Sequence, residues 1–357
     1  MAKKTLKSRQ TIDNMKAEIE FREKLSRQHV SGEIILSDYY KKEEHDKILL
    51  ERLNKTKNKM EELNNKGIGL SPFIEMGAER GQRSLVLTND FKAKGFAVDI
   101  SYHQLKTVEH FSELFKRKKL PVRVCCDANN LPFKNNSLPF AFSYEFLHHF
   151  PSPNPIIKEI HRVLANGYYF FDEEPYKREL KIALYKRKNK IYSKNELAKN
   201  KLLRKIQAFI SEPHSDEVEH GLIENINIPL KDWINTLSIF KEKDVIITSS
   251  KLSPTKLPDR IKLSTLPYYL LGGGIRGLCL KTIKTDISGK LDLYDLLGCP
   301  DCKKALPDGE FDRYSLEKHS DFFKCSECGF EYPVVEGVII LLPKEKFRQL
   351  YPDFIRH

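Results

Sequence analysis

The stretch "PFIEMGAERGQRSLVLTNDFKAKGFAVDIS", residues 72–101, decides the fold. It opens with an apolar run from Pro72 to Met76 that holds one acid, Glu75. A turn containing Gly77 and Gly81 follows, then a helix-like segment, then a second apolar run, Gly95 to Ile100, with Asp99 near its end. Strand, glycine turn, helix, strand and acid is the layout of a βαβ unit that binds a nucleotide at the carboxyl edge of a parallel sheet. The glycines let a ligand approach the backbone, and the second acid can accept hydrogen bonds from two vicinal ribose hydroxyls. A structural βα turn gives the same string, so the rest of the chain has to arbitrate.

Composition narrows the choice. The 357 residues can hold one large domain and a small one, or two to three domains. With 40% hydrophobic and 31% charged residues, the chain reads as a soluble globular protein. No apolar run approaches the roughly 18–20 residues that cross a bilayer. The basic N-terminus "MAKKTLKSRQ" lacks the apolar centre of a signal peptide, so a cytoplasmic protein is expected. The net charge of +12 is concentrated: Tyr176 to Gln207 carries 12 Lys or Arg against Glu179 and Glu196. Such a block is either a solvated helix face or a docking surface for an anion, such as a phosphorylated substrate, RNA or a lipid headgroup.

Residues 11 to 66 read as two charged amphipathic helices around "VSGE", with Gly67 as the stop. From Leu70 strands alternate with helices, which predicts a mostly parallel sheet. "LPVRVCCDANN" is a third strand that ends on Asp127, and "PFAFSYEFLHHF" a fourth. "PIIKEIHRVLANG" is a helix with a glycine stop, and "YYFFDEEP" a fifth strand. "DVIITSS" and "GLCLKTI" supply the last strands of the sheet, and "IPLKDW" opens a helix over it.

In that order the motifs resemble the class I S-adenosylmethionine-dependent methyltransferases, and most of all the branch with the ubiquinone and menaquinone methylases. "FIEMGAERG" stands as the first glycine motif and "GFAVDIS" as the second-strand acid. "CCDANNLPFKNNSLPFAFSYEFLHHF" matches the acid, Leu-Pro-Phe, strand and Leu-His-His pattern, and "EIHRVLANGYYFF" the following helix and strand. The resemblance implies that Glu75 and Gly77 lie near the methionine part of the cofactor, with Ala78 and Gly81 also among the cofactor-binding residues. It places Asp99 at its ribose and Asp127 with Ala128 beside its adenine, and it counts Ile100 and Tyr144 among the cofactor-binding residues. The family's middle glycine is here Glu79, followed by Arg80, which makes the turn bulkier and more charged. Proximity and orientation supply most of the acceleration in methyl transfer, and a base is needed only where the acceptor loses a proton. Glu145, His148 and His149 are the candidates at the pocket edge, with Asp172, Glu173 and Glu174 after the fifth strand.

The tail carries two Cys-x-x-Cys knuckles, Cys299 with Cys302 and Cys325 with Cys328. Four thiolates at this spacing predict a closed, structural tetrahedral zinc site. His319 lies between the knuckles and is read as a surface residue, because the cysteines already fill the shell. The sequence that follows, "YPVVEGVIILLP", resembles the zinc-ribbon activator subunit of tRNA and protein methyltransferases, here fused in cis.

The expected architecture is an α/β protein with a doubly wound, mostly parallel seven-stranded-type sheet. Its parts are an N-terminal helical extension (1–67), a methyltransferase domain (68–285) with a helical lid at 176–240, a zinc ribbon (291–345) and a tail (346–357). The expected activity is methylation of a small or carrier-bound, possibly anionic metabolite. Two alternatives stand beside it: an RNA methyltransferase acting on tRNA or rRNA, and a methyltransferase-like scaffold of weak or no activity.

Overall fold

The structure is a computed structural model; it describes residues 11–36, 41–179, 220–225, 227–249, 252–283, 292–305 and 315–355. Much of the basic block, and with it most of the expected lid, falls on 180–219 and lies outside the described residues.

Two helices come first, α1 (Ile12–Ser31) and α2 (Lys42–Asn65). Thr11 and Asn14 form a reciprocal capping box at the start of α1, and Gly32, at φ 75°, ends it in the left-handed conformation that glycine tolerates. Gly67 follows α2 with φ 81°, as a stop signal should. Leu49, Leu53, Met60 and Leu63 form the buried stripe of α2.

The central sheet begins with β1 (Phe73–Met76), α3 (Gln82–Asp90) and β2 (Gly95–Asp99). Next come α4 (Tyr102–Lys106), α5 (Val108–Leu114), β3 (Val122–Cys126) and β4 (Leu138–Tyr144). Then follow α6 (Asn154–Val163), β5 (Leu164–Tyr176) and α7 (Leu230–Leu237). β6 (Glu242–Ser249), β7 (Leu252–Lys256), α8 (Leu266–Leu271) and β8 (Gly273–Lys281) complete this part. The cysteine-rich segment adds β9 (Leu316–Lys318), β10 (Phe322–Cys325), β11 (Glu331–Val335), β12 (Val338–Leu341) and α9 (Lys344–Leu350).

Among the described residues the strands run β7-β6-β8-β5-β4-β1-β2-β3-β12-β11-β10-β9 in one twelve-stranded sheet. The expectation of a mostly parallel, seven-stranded-type sheet needs correction here. Pairing is parallel from β12 through β3, β2, β1 and β4 to β5, and antiparallel on both flanks. The reason is that β3 would otherwise leave an open edge. β12 fills it in parallel register, Val338 opposite Arg123 through Leu341 opposite Cys126, so the cysteine-rich segment continues the sheet.

The expected glycine stop of α6 is also different. The helix ends at Val163 and Gly167 lies within β5, where a Cβ would sit 2.4 Å from the Pro139 carbonyl oxygen. Gly167 serves the close approach of β5 to β4 and ends no helix. On the other flank α7 lays Trp233 against the sheet, fully buried, its ring parallel to Phe171 at 6.0 Å and its Nε1 donating to the Pro175 carbonyl. Trp233→Ala removes the largest buried side chain on that face and should cost about 3–5 kcal/mol in urea unfolding; a loss under about 1 kcal/mol would mean α7 is not fixed by this contact.

No helix among the described residues is long and apolar enough to cross a membrane.

Candidate active site

Chain order reverses between β1 and β4, and a cavity opens at the carboxyl ends of β1 to β4 there. This is where an open α/β sheet can bind a ligand without disturbing its core.

The turn after β1 alternates into left-handed backbone at Gly77 (φ 63°), Glu79 (φ 47°) and Gly81 (φ 61°). A Cβ on Gly77 would meet the Phe146 ring at 2.3 Å, and one on Gly81 would meet Val108 at 2.7 Å, so packing requires both glycines. Gly77 lines the cavity; Glu75, Ala78 and Gly81 stand behind it. Glu75 is buried, and its Oε2 accepts the Ser84 amide at 2.8 Å, which satisfies an orphan donor in the first turn of α3. Its Oε1 has no partner among the described residues, and burial pushes the carboxyl up to about 7.

Glu79 occupies a conformation that favours glycine, and its contacts explain why a carboxylate stands there. It faces Arg22 of α1 at 3.4 Å, Arg52 of α2 at 3.9 Å and Arg80 at 3.8 Å. Burial works to raise its pKa, but the surrounding arginines outweigh it and hold the carboxyl well below the usual range. The bulkier turn expected from the sequence is therefore an anchor for the two N-terminal helices.

The second acid is held by backbone. Asp99 Oδ2 accepts the Glu79 amide at 3.0 Å and Oδ1 the Ser101 amide at 2.8 Å. Burial raises its carboxyl to about 6. Asp127 caps the short turn after β3 through the Asn129 amide at 2.8 Å, and its Oδ2 pairs with the Lys346 ammonium of α9. Ile100 and Ala128 line the cavity beside these acids, and Tyr144 lines it at the end of β4 under the Arg83 guanidinium, 4.3 Å away.

The segment after β4 forms the opposite wall. Glu145 has φ 46° and its carboxylate meets Arg52 Nη2 at 3.0 Å, so it is engaged in a rim ion pair. Glu174 of β5 is fully buried and accepts the amides of Phe146 and Leu147, both at 2.8 Å, and of His148 at 3.2 Å. Its Oε2 also lies 2.9 Å from His148 Nδ1. Burial opposes the charged imidazole of His148, but the hydrogen bond and charge of Glu174 prevail and raise its pKa. His148 does not line the cavity; His149 does. His149 Nδ1 is 3.2 Å from the Ile223 carbonyl, which can only accept, so Nδ1 carries the proton and Nε2 is the basic nitrogen. Burial and the neighbouring His148 lower its pKa, which keeps it neutral and competent as a base.

Sequence reading missed Glu18, Arg22 and Arg52, which line the cavity from α1 and α2. A charged helix face reads as solvated, and the one available signal was Glu79 in a glycine position, which asks for cationic partners.

The four predicted thiols come together, with all Sγ atoms within 4.8 Å of one another. Cys299 to Cys328 is 3.9 Å and Cys302 to Cys325 is 3.7 Å. A tetrahedron with metal–sulfur bonds of about 2.3 Å has edges of about 3.8 Å, so the donor set fits a tetrahedral thiophilic ion. The Tyr332 hydroxyl lies 3.1 Å from Cys299 Sγ and 3.2 Å from Asp301, an outer contact that orients the ligand. His319 is exposed and stacks on Phe322, apart from the cluster.

This segment also touches the cavity's loops. Besides Lys346 with Asp127, the Asn130 amide group donates to the Pro300 carbonyl at 2.9 Å and Lys303 to the Leu131 carbonyl at 3.1 Å. Tyr351 donates to the Ile100 carbonyl at 2.7 Å and accepts from the Tyr102 amide at 2.9 Å.

Residues 74–171 match the family model described as a methyltransferase domain. No curated protein matches the sequence. Among solved structures, a SAM-dependent methyltransferase from Thermotoga maritima is similar at 14% identity and TM-score 0.36, covering 75% of this chain and 99% of that one. A chain from the complex of the Haloferax volcanii Trm112 methyltransferase activator with a methyltransferase is similar at 13% identity and TM-score 0.38, covering 77% and 99%. A methyltransferase from Bacillus halodurans is similar at 14% identity and TM-score 0.39, covering 65% and 99%.

Proposed function

We propose that this S-adenosylmethionine-dependent methyltransferase holds its cofactor along the carboxyl ends of β3, β2 and β1 and methylates a small or carrier-bound metabolite presented at the β4 wall. The observation that carries this reading is the cavity at the reversal point, lined by Gly77, Asp99 and Asp127 from three successive strand ends. The residues fit the cofactor: Asp99 keeps lone pairs for ribose hydroxyls, and Glu75 Oε1 is a buried acceptor in search of a donor. The cavity carries Arg22, Arg52 and Arg83 against Glu18, Glu79, Asp99, Asp127 and Glu145, so its lining is net acidic and suits a sulfonium cation. Any preference for an anionic acceptor rests instead on the basic block beyond Glu179.

When bound, the cofactor supplies an electrophilic methyl group on a good leaving group, displaced in line by a lone pair of the acceptor. The chain's own part is positioning. Asp99 orients the ribose end, Tyr144, Phe146 and Phe150 exclude water from the wall, and His149 Nε2 takes a proton where the acceptor must lose one. The motifs that resemble the quinone-methylase branch support that branch as the source of the scaffold. The four thiols support a structural zinc, and the pairing of β12 with β3 supports an activator-like ribbon fused in cis.

Calorimetry with S-adenosylmethionine and its demethylated product tests the reading, and no detectable binding of either would remove it. Asp99→Ala should weaken binding by about 1–3 kcal/mol through loss of charge-assisted hydrogen bonds. The pH dependence has a definite sign. Because Asp99 titrates at about 6, affinity should rise as pH increases through that value and the carboxylate ionises. Asp99→Asn should flatten this step; a step that survives the substitution would assign it to another group.

A further inference from the structure

Glu18 and Arg22 stand one turn apart on α1, on the face that packs over the turn after β1, where Arg22 meets Glu79 at 3.4 Å. Both line the cavity. The other carboxylates of the lining are already engaged. Glu79 and Glu145 hold arginines, Asp99 accepts the amides of Glu79 and Ser101, and Asp127 accepts the Asn129 amide and the Lys346 ammonium. Glu18 differs. Its Oε1 accepts Arg22 Nε at 2.8 Å, while its Oε2 is buried and has no partner among the described residues. A buried carboxylate oxygen without a donor costs free energy that a bound cationic donor would recover. The Glu18 charge also favours the protonated forms of Asp99 and His149, so it stands within Coulomb reach of both the second acid and the β4 wall.

We propose that the methyl acceptor is an amine, received as its ammonium by Glu18 Oε2 against Phe146 and Phe150, and that nitrogen is the atom methylated. This rests on the reading that the cavity takes S-adenosylmethionine, and it names the acceptor's class. An ammonium supplies both the N–H donor and the positive charge that Oε2 lacks. Phe146 and Phe150 line the same cavity with ring centroids 5.0 Å apart, and a cation close to an aromatic face gains a further electrostatic attraction. Other acceptor classes fit less well. An anion meets arginines that are already engaged: Arg22 and Arg52 pair with carboxylates, and Arg83 lies over the Tyr144 ring. No lysine is among the described lining residues. A neutral alcohol can donate to Oε2, but Arg22 is shared between Glu18 and Glu79, so part of the negative charge stays uncompensated.

The transfer balances with groups already in place. An ammonium has no lone pair, so it must lose one proton before it attacks. His149 Nδ1 keeps its own proton on the Ile223 carbonyl at 3.2 Å, which makes Nε2 the nitrogen that takes the acceptor's proton. The amine lone pair then forms the N–C bond to the methyl carbon, as that carbon's bond to sulfur breaks and leaves its electron pair on sulfur. The product leaves as an N-methylammonium, and the proton on His149 passes to solvent, a release that its lowered pKa favours. Glu18 binds and orients throughout and takes no proton.

The test is titration calorimetry on the full chain loaded with S-adenosylhomocysteine. The probes are matched in shape and differ in charge: phenethylamine, phenethyl alcohol and the anion phenylpropionate, with hexylamine and hexanol as an aliphatic pair. Each amine should bind at least about tenfold more tightly than its alcohol, the range of one charge-assisted hydrogen bond, and the anion should bind most weakly. Glu18→Gln, which keeps an oxygen for Arg22, should weaken the amines about 10- to 100-fold and leave the alcohols and S-adenosylhomocysteine within about threefold. Amines that bind no better than their alcohols, or than the anion, would overturn the proposal. That comparison uses wild type alone, so it decides the acceptor's class even where the variant fails to fold. An amine preference that survives Glu18→Gln would remove Glu18 from the acceptor site. Loss of S-adenosylhomocysteine in step with the amines would also overturn the proposal and make Glu18 part of the cofactor site. If wild type does not bind S-adenosylhomocysteine, the cofactor reading fails, a result separable from failure of the amine site.

Discussion

With the proposed zinc stripped from the tetracysteine cluster by a chelator, or with Cys325 replaced by Ser, β9 to β12 should unfold and cofactor binding should weaken at least tenfold. The first effect follows from the cluster alone. Without an ion, four thiols packed within 4.8 Å of one another gain nothing to offset the entropy of ordering their loops. Structural zinc contributes on the order of 10–16 kcal/mol of apparent binding free energy, which in so small a module is its folding energy. The second effect follows from where the module sits. β12 pairs with β3 up to Cys126, the residue before Asp127, and Lys346 holds the Asp127 carboxylate. Tyr351 ties down Ile100 beside Asp99. Loss of the module therefore frees two of the four strand-end loops that line the cavity and exposes the β3 edge. Hydrogen exchange should show protection lost in β9 to β12 and then in β3, while calorimetry reports the affinity. Lys346→Met gives an independent reading with the cluster intact, a smaller loss confined to the Asp127 end of the cavity. Full cofactor affinity in a protein whose β9 to β12 exchange freely would separate the module from the site.

That coupling shows what the sequence could and could not carry. Strand runs such as "GFAVDIS", and the acid that ends each of them, were legible because local apolar pattern and loop chemistry dictate them. The knuckles were legible because four thiolates at that spacing have one common use. The pairing of β12 with β3 was not, since a parallel neighbour is chosen by edges distant in sequence. The same holds for Gly167, whose role comes from Pro139 across the sheet and not from its own helix. Arg52 and Arg22 read as solvated helix faces, and only tertiary packing brings them to Glu79. The charge block from Tyr176 to Gln207 was conspicuous in the sequence, and most of it lies outside the described residues.

Glu174→Ala should destabilise the fold by about 3–5 kcal/mol, the usual cost of breaking a buried charged network by removing one partner. Sequence reading placed Glu174 at the pocket edge as one of several acids; the structure makes it the residue that builds the β4 wall. It is fully buried and accepts three consecutive backbone amides, Phe146, Leu147 and His148, together with the His148 ring. Truncation leaves those donors without acceptors in a site closed to water, at about 1–3 kcal/mol for each unsatisfied group before relaxation. The wall they hold carries Phe146, His149 and Phe150, so cofactor or acceptor binding should fail at temperatures where the variant is still folded. Glu174→Gln isolates the charge, since it keeps the shape and one acceptor oxygen. Its effect should depend on pH with a fixed sign. Glu174 raises the His148 pKa above its unfolded value, so the ion pair's stabilisation is complete below an ordinary histidine pKa of about 6.5 and fades as pH climbs through the raised value. The stability gap between wild type and Glu174→Gln, measured by urea unfolding, should accordingly be wider at pH 6 than at pH 9. A gap that stays constant across that interval would mean His148 is neutral in the folded protein, leaving Glu174 only its backbone amides.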